Sequence, residues 1–184
     1  NITSFKSHCG GLVAPQSDNN PWHYKISWNP RNVVIAGKSG AVYKEDNEIK
    51  SIKYIDLFNT TNTFTRYGLK DLAFYPNRDS LGYISTYKLP GTATFIRTTL
   101  RHVDFFKGWN ALIHAGLTND TIAVDINGLT YAKWSAPILP FVNENNKLML
   151  KYLGLFNDAP VLSTAKTSAD ILQYTLKWSQ RIKI

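Results

Sequence analysis

Two arginines with a threonine between them, in Phe95-Ile96-Arg97-Thr98-Thr99-Leu100-Arg101, have the types and spacing to do chemistry. Successive side chains of an extended strand point to opposite sides. Arg97, Thr99 and Arg101 are therefore predicted on one face, with Ile96 and Leu100 on the other. Two guanidinium groups flanking a hydroxyl make a carboxylate receptor, because the planar guanidinium fork matches the two oxygens of a carboxylate. The alternative is a solvated sheet face whose arginines do nothing more.

A second stretch is Phe74-Tyr75-Pro76-Asn77-Arg78-Asp79-Ser80. Pro76 fixes its own φ, Asn77 tolerates a turn, and Asp79 or Ser80 can cap a following helix, so the loop is expected to be rigid. Arg78 would then be presented by a defined backbone and could grip a carboxylate through charge-assisted hydrogen bonds worth about 1.5–3 kcal/mol each. The structural alternative is a pairing with Asp79 or another acid.

Other chemistries find little support. There is no Gly-x-Gly-x-x-Gly, and Gly37-Lys38-Ser39-Gly40 is too short and lacks a βαβ unit around it, so no cofactor-binding residues are expected in this chain. His8, His23, His102 and His114 lack paired metal spacing and Cys9 is the single cysteine, so no metal site is expected. A Cys9–His nucleophile pair is the weakest of the alternatives, since any chain with one cysteine and four histidines offers one.

The elements that must position the two arginine stretches follow from periodicity. Ser4–His8 reads as a strand, broken by Cys9-Gly10-Gly11 and the loop 15–21. Val42-Tyr43 and Ile49–Ile55 flank an acidic turn at 45–47 and read as a hairpin. Thr63–Tyr67 and Leu72–Tyr75 are further strands, Ser80–Tyr87 a short helix, and Ala93–Arg101 a strand. Asp104–Ala115 has Phe105, Trp109, Leu112 and Ile113 at helical spacing, with Asp104 as the expected N-cap and Gly116 as the stop. Beyond Thr130 the chain reads as helical near 131–141, 146–156 and 168–181, with Pro137 and Pro140 interrupting the first segment and Lys177, Arg181 and Lys183 at the end of the last. Strands first and helices later predict an α+β fold, divided into 1–129 and a helical subdomain at 130–184.

Composition sets outer limits. The chain has 184 residues, 43% hydrophobic and 13% aromatic, enough to bury a core. No apolar run approaches a membrane span, and 1–6 lack a signal-peptide start, so a soluble protein with no membrane partner is expected. The lone cysteine excludes an internal disulfide and favours a reducing compartment, the cytoplasm being the simplest. Asn-x-Thr triplets at Asn1, Asn59 and Asn119 mean nothing without secretion. Met149 is the sole methionine, so the chain is expected to be either processed or excised from a longer one. A net charge of +8 would suit nucleic acid or an acidic substrate, but the 21 Lys and Arg residues are spread along the whole sequence. Arg101-His102 beside Phe105-Phe106 could suggest base stacking, but the phenylalanines fit the core of an amphipathic helix, and no nucleic-acid partner is expected.

The motifs, taken together, resemble a known family. Ser7-His8-Cys9-Gly10-Gly11-Leu12-Val13-Ala14-Pro15, Asp18-Asn19-Asn20-Pro21 and Tyr24-Lys25-Ile26-Ser27-Trp28 are similar to the opening of the second domain of saccharopine dehydrogenase, the glutamate-forming kind. Tyr75-Pro76-Asn77-Arg78-Asp79-Ser80, Arg97-Thr98-Thr99-Leu100-Arg101 and Tyr152-Leu153-Gly154-Leu155-Phe156 follow in the family's order, so the resemblance covers nearly the whole chain. Two positions depart: the family pattern has proline at Val13 and glycine at Thr98. The helical part after Thr130 also looks shorter than in the family.

The resemblance implies a mixed β-sheet covered by helices, like the C-terminal domain of glyceraldehyde-3-phosphate dehydrogenase, with a small helical subdomain. It implies an enzyme that interconverts saccharopine with glutamate plus 2-aminoadipate 6-semialdehyde, in which a separate domain binds NADP or NAD and carries the proton-transferring residues. This chain would supply the substrate-binding and dimerisation part, would contribute no catalytic residue, and would be inactive alone. Arg78, Thr99, Leu100 and Arg101 match the family's saccharopine contacts, and a homodimer is the implied assembly. Saccharopine has three carboxylates, so a receptor needs several fixed cations, in agreement with the reading of the arginines. The remaining alternative is a divergent relative or a non-catalytic module that binds another imino acid or polycarboxylate.

Overall fold

The protein is described by a computed structural model covering residues 2–26, 29–59, 62–66 and 68–179. Of the positions discussed above, Asn1, Ser27, Trp28, Thr61, Tyr67, Arg181 and Lys183 lie outside the described residues.

The expected α+β class holds: a six-stranded mixed sheet is accompanied by helices. Its axis is β6 (Thr94–His102), rich in the β-branched and aromatic residues that suit a pleated, buried surface. β1 (Ser4–Cys9) runs parallel to it, from Ser4↔Thr94 to Cys9↔Thr99. β5 (Leu69–Pro76) runs antiparallel, from Leu72↔His102 to Pro76↔Thr98, and β2 (Ala41–Glu45) meets it at Lys44↔Phe95. A strand has only two edges. With β1 occupying one along 94–99, β5 and β2 must share the other in succession. β3 (Glu48–Ile52) extends the sheet from β2, and β4 (Thr63–Arg66) from β5. The β2–β3 hairpin turns at Asp46 and Asn47, whose φ values of 53° and 68° are those of the primed turn that matches strand twist.

Six α-helices are described: α1 (Pro30–Val34), α2 (Gly82–Thr86), α3 (Val103–His114), α4 (Tyr131–Ser135), α5 (Lys147–Tyr152) and α6 (Ser168–Ser179). Gly116 stops α3 as expected, with φ 72° and the Leu117 N–H donating back to the Leu112 carbonyl at 3.0 Å. Asp104 is not the N-cap. The helix starts one residue earlier, at Val103, which leaves Asp104 in the first turn, where its charge suits the helix dipole. The region after Thr130 is less helical than its periodicity suggests, because Pro137 and Pro140 convert 136–141 into a 3-10 turn and Gly154, at φ 75°, ends α5.

The contacts divide the chain into two compact units, one of residues 1–12 and 37–106, the other of 13–36 and 107–184. The expected boundary at 129/130 falls inside the second unit. The first unit is the sheet with α2, its core built from Phe58, Tyr75, Phe95, Leu100 and Phe106. Phe58 lies 4.7 Å from Tyr75 and 5.8 Å from Phe106 between ring centres.

The second unit is helical, with Trp109, Leu112, Leu117, Ile138, Leu150, Leu155, Ile171 and Leu172 at its core. Segment 13–36 belongs here because its own side chains pack here. The Trp22 indole donates to the Met149 carbonyl at 2.8 Å and meets Trp109 edge-on. Gly108 makes room for that ring, since a Cβ there would come within 2.6 Å of Trp22 Cη2. α1 packs on α6 through Arg31, which donates to Asp170 at 2.9 Å and lies 3.6 Å from Asp120.

Candidate functional site

Strand β6 brings three of the sequence motifs together. Along residues 96–101 its burial alternates as expected, with Ile96, Thr98 and Leu100 buried and Arg97, Thr99 and Arg101 half-buried. The arginine face is less polar than the spacing suggested. Phe95 shares it, fully buried and stacked 4.7 Å from Phe5, and so do Ala73 and Tyr75, the partners of Arg101 and Thr99 on β5.

The three cations fare differently. Arg97 stacks on the ring of Tyr83 from α2, with its guanidinium carbon 3.7 Å from the ring centre, so a structural partner is present. Arg101 folds back, its Nη1 donating to the Leu100 carbonyl at 2.8 Å and its guanidinium 5.8 Å from the Phe105 ring. Arg78 is exposed, and no ion pair or hydrogen bond engages its guanidinium among the described residues. The Asp79 carboxylate accepts instead from the Leu81 and Gly82 N–H groups at the start of α2, at 2.7 and 3.4 Å, so the Arg78–Asp79 pairing is not made.

The backbone that carries Arg78 is held on both sides. Asn77 N–H donates to the Arg97 carbonyl at 2.8 Å, Val42 N–H to the Arg78 carbonyl at 2.9 Å, and Ser80 N–H to the Val42 carbonyl at 2.8 Å. Arg97 N–H donates to Ser80 Oγ at 3.0 Å, and Ser80 is fully buried. These bonds hold Arg78 at φ 51°, a left-handed conformation unusual for a side chain of this size. Such strain costs on the order of 1–3 kcal/mol and persists only where the surroundings over-determine it.

The bond from Asn77 to Arg97 also sets a distance. Arg101 lies four residues further along β6, about 13 Å at 3.3 Å per residue, so Arg78 and Arg101 suit two well-separated acidic groups better than one. Thr99 stands between Cys9 on β1 and Tyr75 on β5. Leu100 turns its side chain to the opposite, buried face, leaving its backbone as what it could offer a ligand.

The Cys9-Gly10-Gly11 motif acquires a structural reason. A Cβ at Gly10 would sit 2.4 Å from the Leu100 carbonyl oxygen, so only glycine lets the end of β1 close on β6. Cys9 is the neighbour that spacing did not assign to the site: its register pairing with Thr99 puts it beside the hydroxyl, a relation only the parallel pairing reveals. His8 faces the other way, with Nδ1 2.7 Å from Thr98 Oγ1 and its ring against Phe74 and Phe64, so adjacent His8 and Cys9 form no nucleophile pair.

The glycine turn Gly37-Lys38-Ser39-Gly40 is built for packing. Gly37 and Gly40, both at positive φ, form the turn into β2 and make close approaches: a Cβ at Gly37 would meet Leu57 Cδ2 at 2.5 Å, and one at Gly40 the Ile52 carbonyl at 2.3 Å. They are packing glycines and do not open a helix towards a phosphate. The motif Tyr152–Phe156 is also structural, closing α5 at Gly154 and burying Leu153 and Leu155 in the helical unit.

Comparison with known proteins agrees with these motifs. The model of the saccharopine dehydrogenase C-terminal domain matches residues 1–183. The chain is 36% identical over 140 residues to the saccharopine dehydrogenase [NADP(+), L-glutamate-forming] of Schizosaccharomyces pombe, covering 76% of this chain and 30% of that protein. It is 33% identical over 138 residues to the mitochondrial alpha-aminoadipic semialdehyde synthase of Bos taurus, covering 71% of this chain and 15% of that protein. The apo saccharopine dehydrogenase (L-Glu forming) of Saccharomyces cerevisiae superposes with a TM-score of 0.83 at 29% identity, over 96% of this chain and 45% of that one. The chain thus spans less than half the length of these relatives, and by the match along 1–183 it belongs to the saccharopine dehydrogenase C-terminal domain family.

Proposed function

We propose that this chain is the substrate-binding part of an oxidoreductase of lysine metabolism that interconverts saccharopine with glutamate plus 2-aminoadipate 6-semialdehyde. The observation that carries this reading is Arg78: an exposed, unengaged guanidinium on a backbone locked in a strained conformation by β2 and β6. A receptor gains most when its cation is positioned before the ligand arrives, because little freedom is then lost on binding. Saccharopine is an extended molecule with three carboxylates. Arg78 takes one, and Arg101, about 13 Å along the strand, takes another, with the Thr99 hydroxyl and the Leu100 backbone between them.

NADP or NAD is held by residues outside this chain, which contributes binding and no proton-transferring group. The sheet unit also carries the dimer contact of a homodimer. The exposed Cys9 thiol suits a reducing compartment, the cytoplasm in the simplest case. Among the described residues no helix is long and apolar enough to cross a membrane.

The test is calorimetric titration of the full-length protein with saccharopine, glutamate and NADPH. Saccharopine should bind, Arg78→Ala should weaken it by about tenfold or more, and NADPH affinity should stay the same. Undiminished saccharopine binding in Arg78→Ala would remove Arg78 from the site. If the protein binds NADPH and ignores saccharopine, the fold serves a different imino acid or polycarboxylate.

A further inference from the structure

Asn127 stands apart from the other asparagines by its neighbour and by its freedom. Asn127-Gly128 is the single Asn-Gly step in the chain, and both residues are exposed. They form the centre of a turn closed by the Leu129 N–H, which donates to the Ile126 carbonyl at 3.1 Å. Gly128 has φ 63°, the conformation that the third position of a type II turn requires. Asn127 N–H donates to Asp125 Oδ1 at 3.0 Å. Neither the Asn127 carboxamide nor the Gly128 N–H has a hydrogen-bond partner among the described residues.

Three other turn asparagines are occupied. Asn119 Oδ1 accepts from the Thr121 and Ile122 N–H groups at 2.9 and 2.8 Å, Asn143 Oδ1 from Asn145 N–H at 2.9 Å, and Asn157 Oδ1 from Ala159 N–H at 2.8 Å. Each is followed by a residue whose Cβ crowds its own backbone nitrogen: Asp120, Glu144 and Asp158.

We propose that Asn127-Gly128 is a deamidation site of the folded protein. The Gly128 backbone nitrogen gives up its proton to hydroxide and attacks Asn127 Cγ, closing a succinimide ring. The carboxamide C–N bond breaks, and its nitrogen takes a proton from water and leaves as ammonia. A water molecule then opens the ring at either carbonyl. Opening at Cγ restores the ordinary backbone with an aspartate side chain, and opening at the backbone carbonyl leaves the chain running through Cγ as isoaspartate. One water is consumed and one ammonia released, with no oxidant or reductant.

The attack requires the peptide plane between Asn127 and Gly128 to rotate. The unbonded Gly128 N–H and the missing Cβ allow it, exchanging a type II for a type I turn while the Leu129–Ile126 bond stays in place. Either product sets a new negative charge beside the Asp125 carboxylate. Isoaspartate also adds a carbon to the backbone between two fixed points. Val124 N–H donates to the Lys166 carbonyl at 2.9 Å on one side, and the Leu129 carbonyl accepts from Val161 N–H at 3.0 Å on the other.

The experiment is incubation of the full-length protein at mildly alkaline pH, with and without denaturing urea, followed by mass-spectrometric peptide mapping and labelling by a protein isoaspartyl methyltransferase. The peptide containing 126–129 should change from amide to acid and take the label, at a rate in the folded protein within about tenfold of that in urea. A folded rate slower than that would overturn the proposal, because the turn would then protect the step. Asn127→Ala, at an exposed position, should abolish the label. Label at the wild-type level in that variant would place the reaction at another asparagine and overturn the proposal. Gly128→Ala should slow conversion by at least about tenfold. Should the strain at φ 63° unfold that variant, the comparison is made in urea, where a rate equal to that of the wild type would overturn the proposal as well.

Discussion

Strand β6 and the loop at 76–80 both present arginines, yet they use them in opposite ways. On β6 the backbone is regular and the cations are engaged by the fold, Arg97 on Tyr83 and Arg101 on the Leu100 carbonyl. In the loop the backbone is strained and pinned, while the Arg78 side chain is left exposed. The contrast teaches that alternation along a strand places cations on a face without saying whether they are available. A side chain becomes a receptor when hydrogen bonding is spent on its backbone and withheld from its head group.

The largest expected effect tests whether β6 is held by close approach. Gly10→Ala would drive a Cβ to 2.4 Å from the Leu100 oxygen. Urea unfolding should show a loss of about 1–3 kcal/mol, and the shifted strand should weaken saccharopine binding as well. Wild-type stability in this variant would mean that β1 can move off β6 at little cost.

Next comes the separation of binding from stability. Arg78→Ala should lower saccharopine affinity by about ten- to a hundredfold and change stability by no more than about 0.5 kcal/mol. Arg101→Ala should lower both, with about 1.5 kcal/mol of stability lost. Equal stability losses in the two variants would erase the distinction drawn between strand and loop.

Asp170 in the helical unit is the opposite of Arg78, a side chain wholly engaged in structure. Its carboxylate accepts from the Lys166 and Thr167 N–H groups and the Thr167 hydroxyl at 2.9–3.0 Å, and pairs with Arg31. Burial pushes its pKa up, but those hydrogen bonds and Arg31 outweigh it and hold the group below its ordinary 3.8. A pKa depressed by folding means stability that is complete above 3.8 and is lost as pH falls through the lower folded value. Asp170→Asn should cost about 1 kcal/mol at neutral pH, and the gap to wild type should narrow as a denaturation series is taken to acid. A gap that stays constant would remove the carboxylate from the acid response.

The smallest effect belongs to Arg97. Arg97→Ala should cost about 0.5–1 kcal/mol through loss of the Tyr83 stack and leave saccharopine affinity unchanged. A drop in affinity would make it a third cation of the site.

Much of this was legible in the residues. The alternation in 96–101, the hairpin around Asp46-Asn47, the Gly116 stop and the stiff loop around Pro76 each rest on local physics, a side-chain period or a backbone preference, that acts within a few residues. The Asp104 cap was misplaced by two residues, since the helix begins at Val103, and the proline-rich 136–141 was more disruptive than its apolar spacing suggested, because local signals for where a helix starts and stops compete closely.

The amino-acid sequence by itself determined the class of fold, the order of the motifs and the face on which Arg97, Thr99 and Arg101 lie, since each depends on spacing along one element. Only the tertiary structure decided which arginine's head group is exposed, that Cys9 stands beside Thr99, that Gly10 exists for the Leu100 carbonyl, and that 13–36 packs with 107–184. Those are pairings between residues tens of positions apart, and they are fixed by which strand edges and apolar faces meet once the chain is closed.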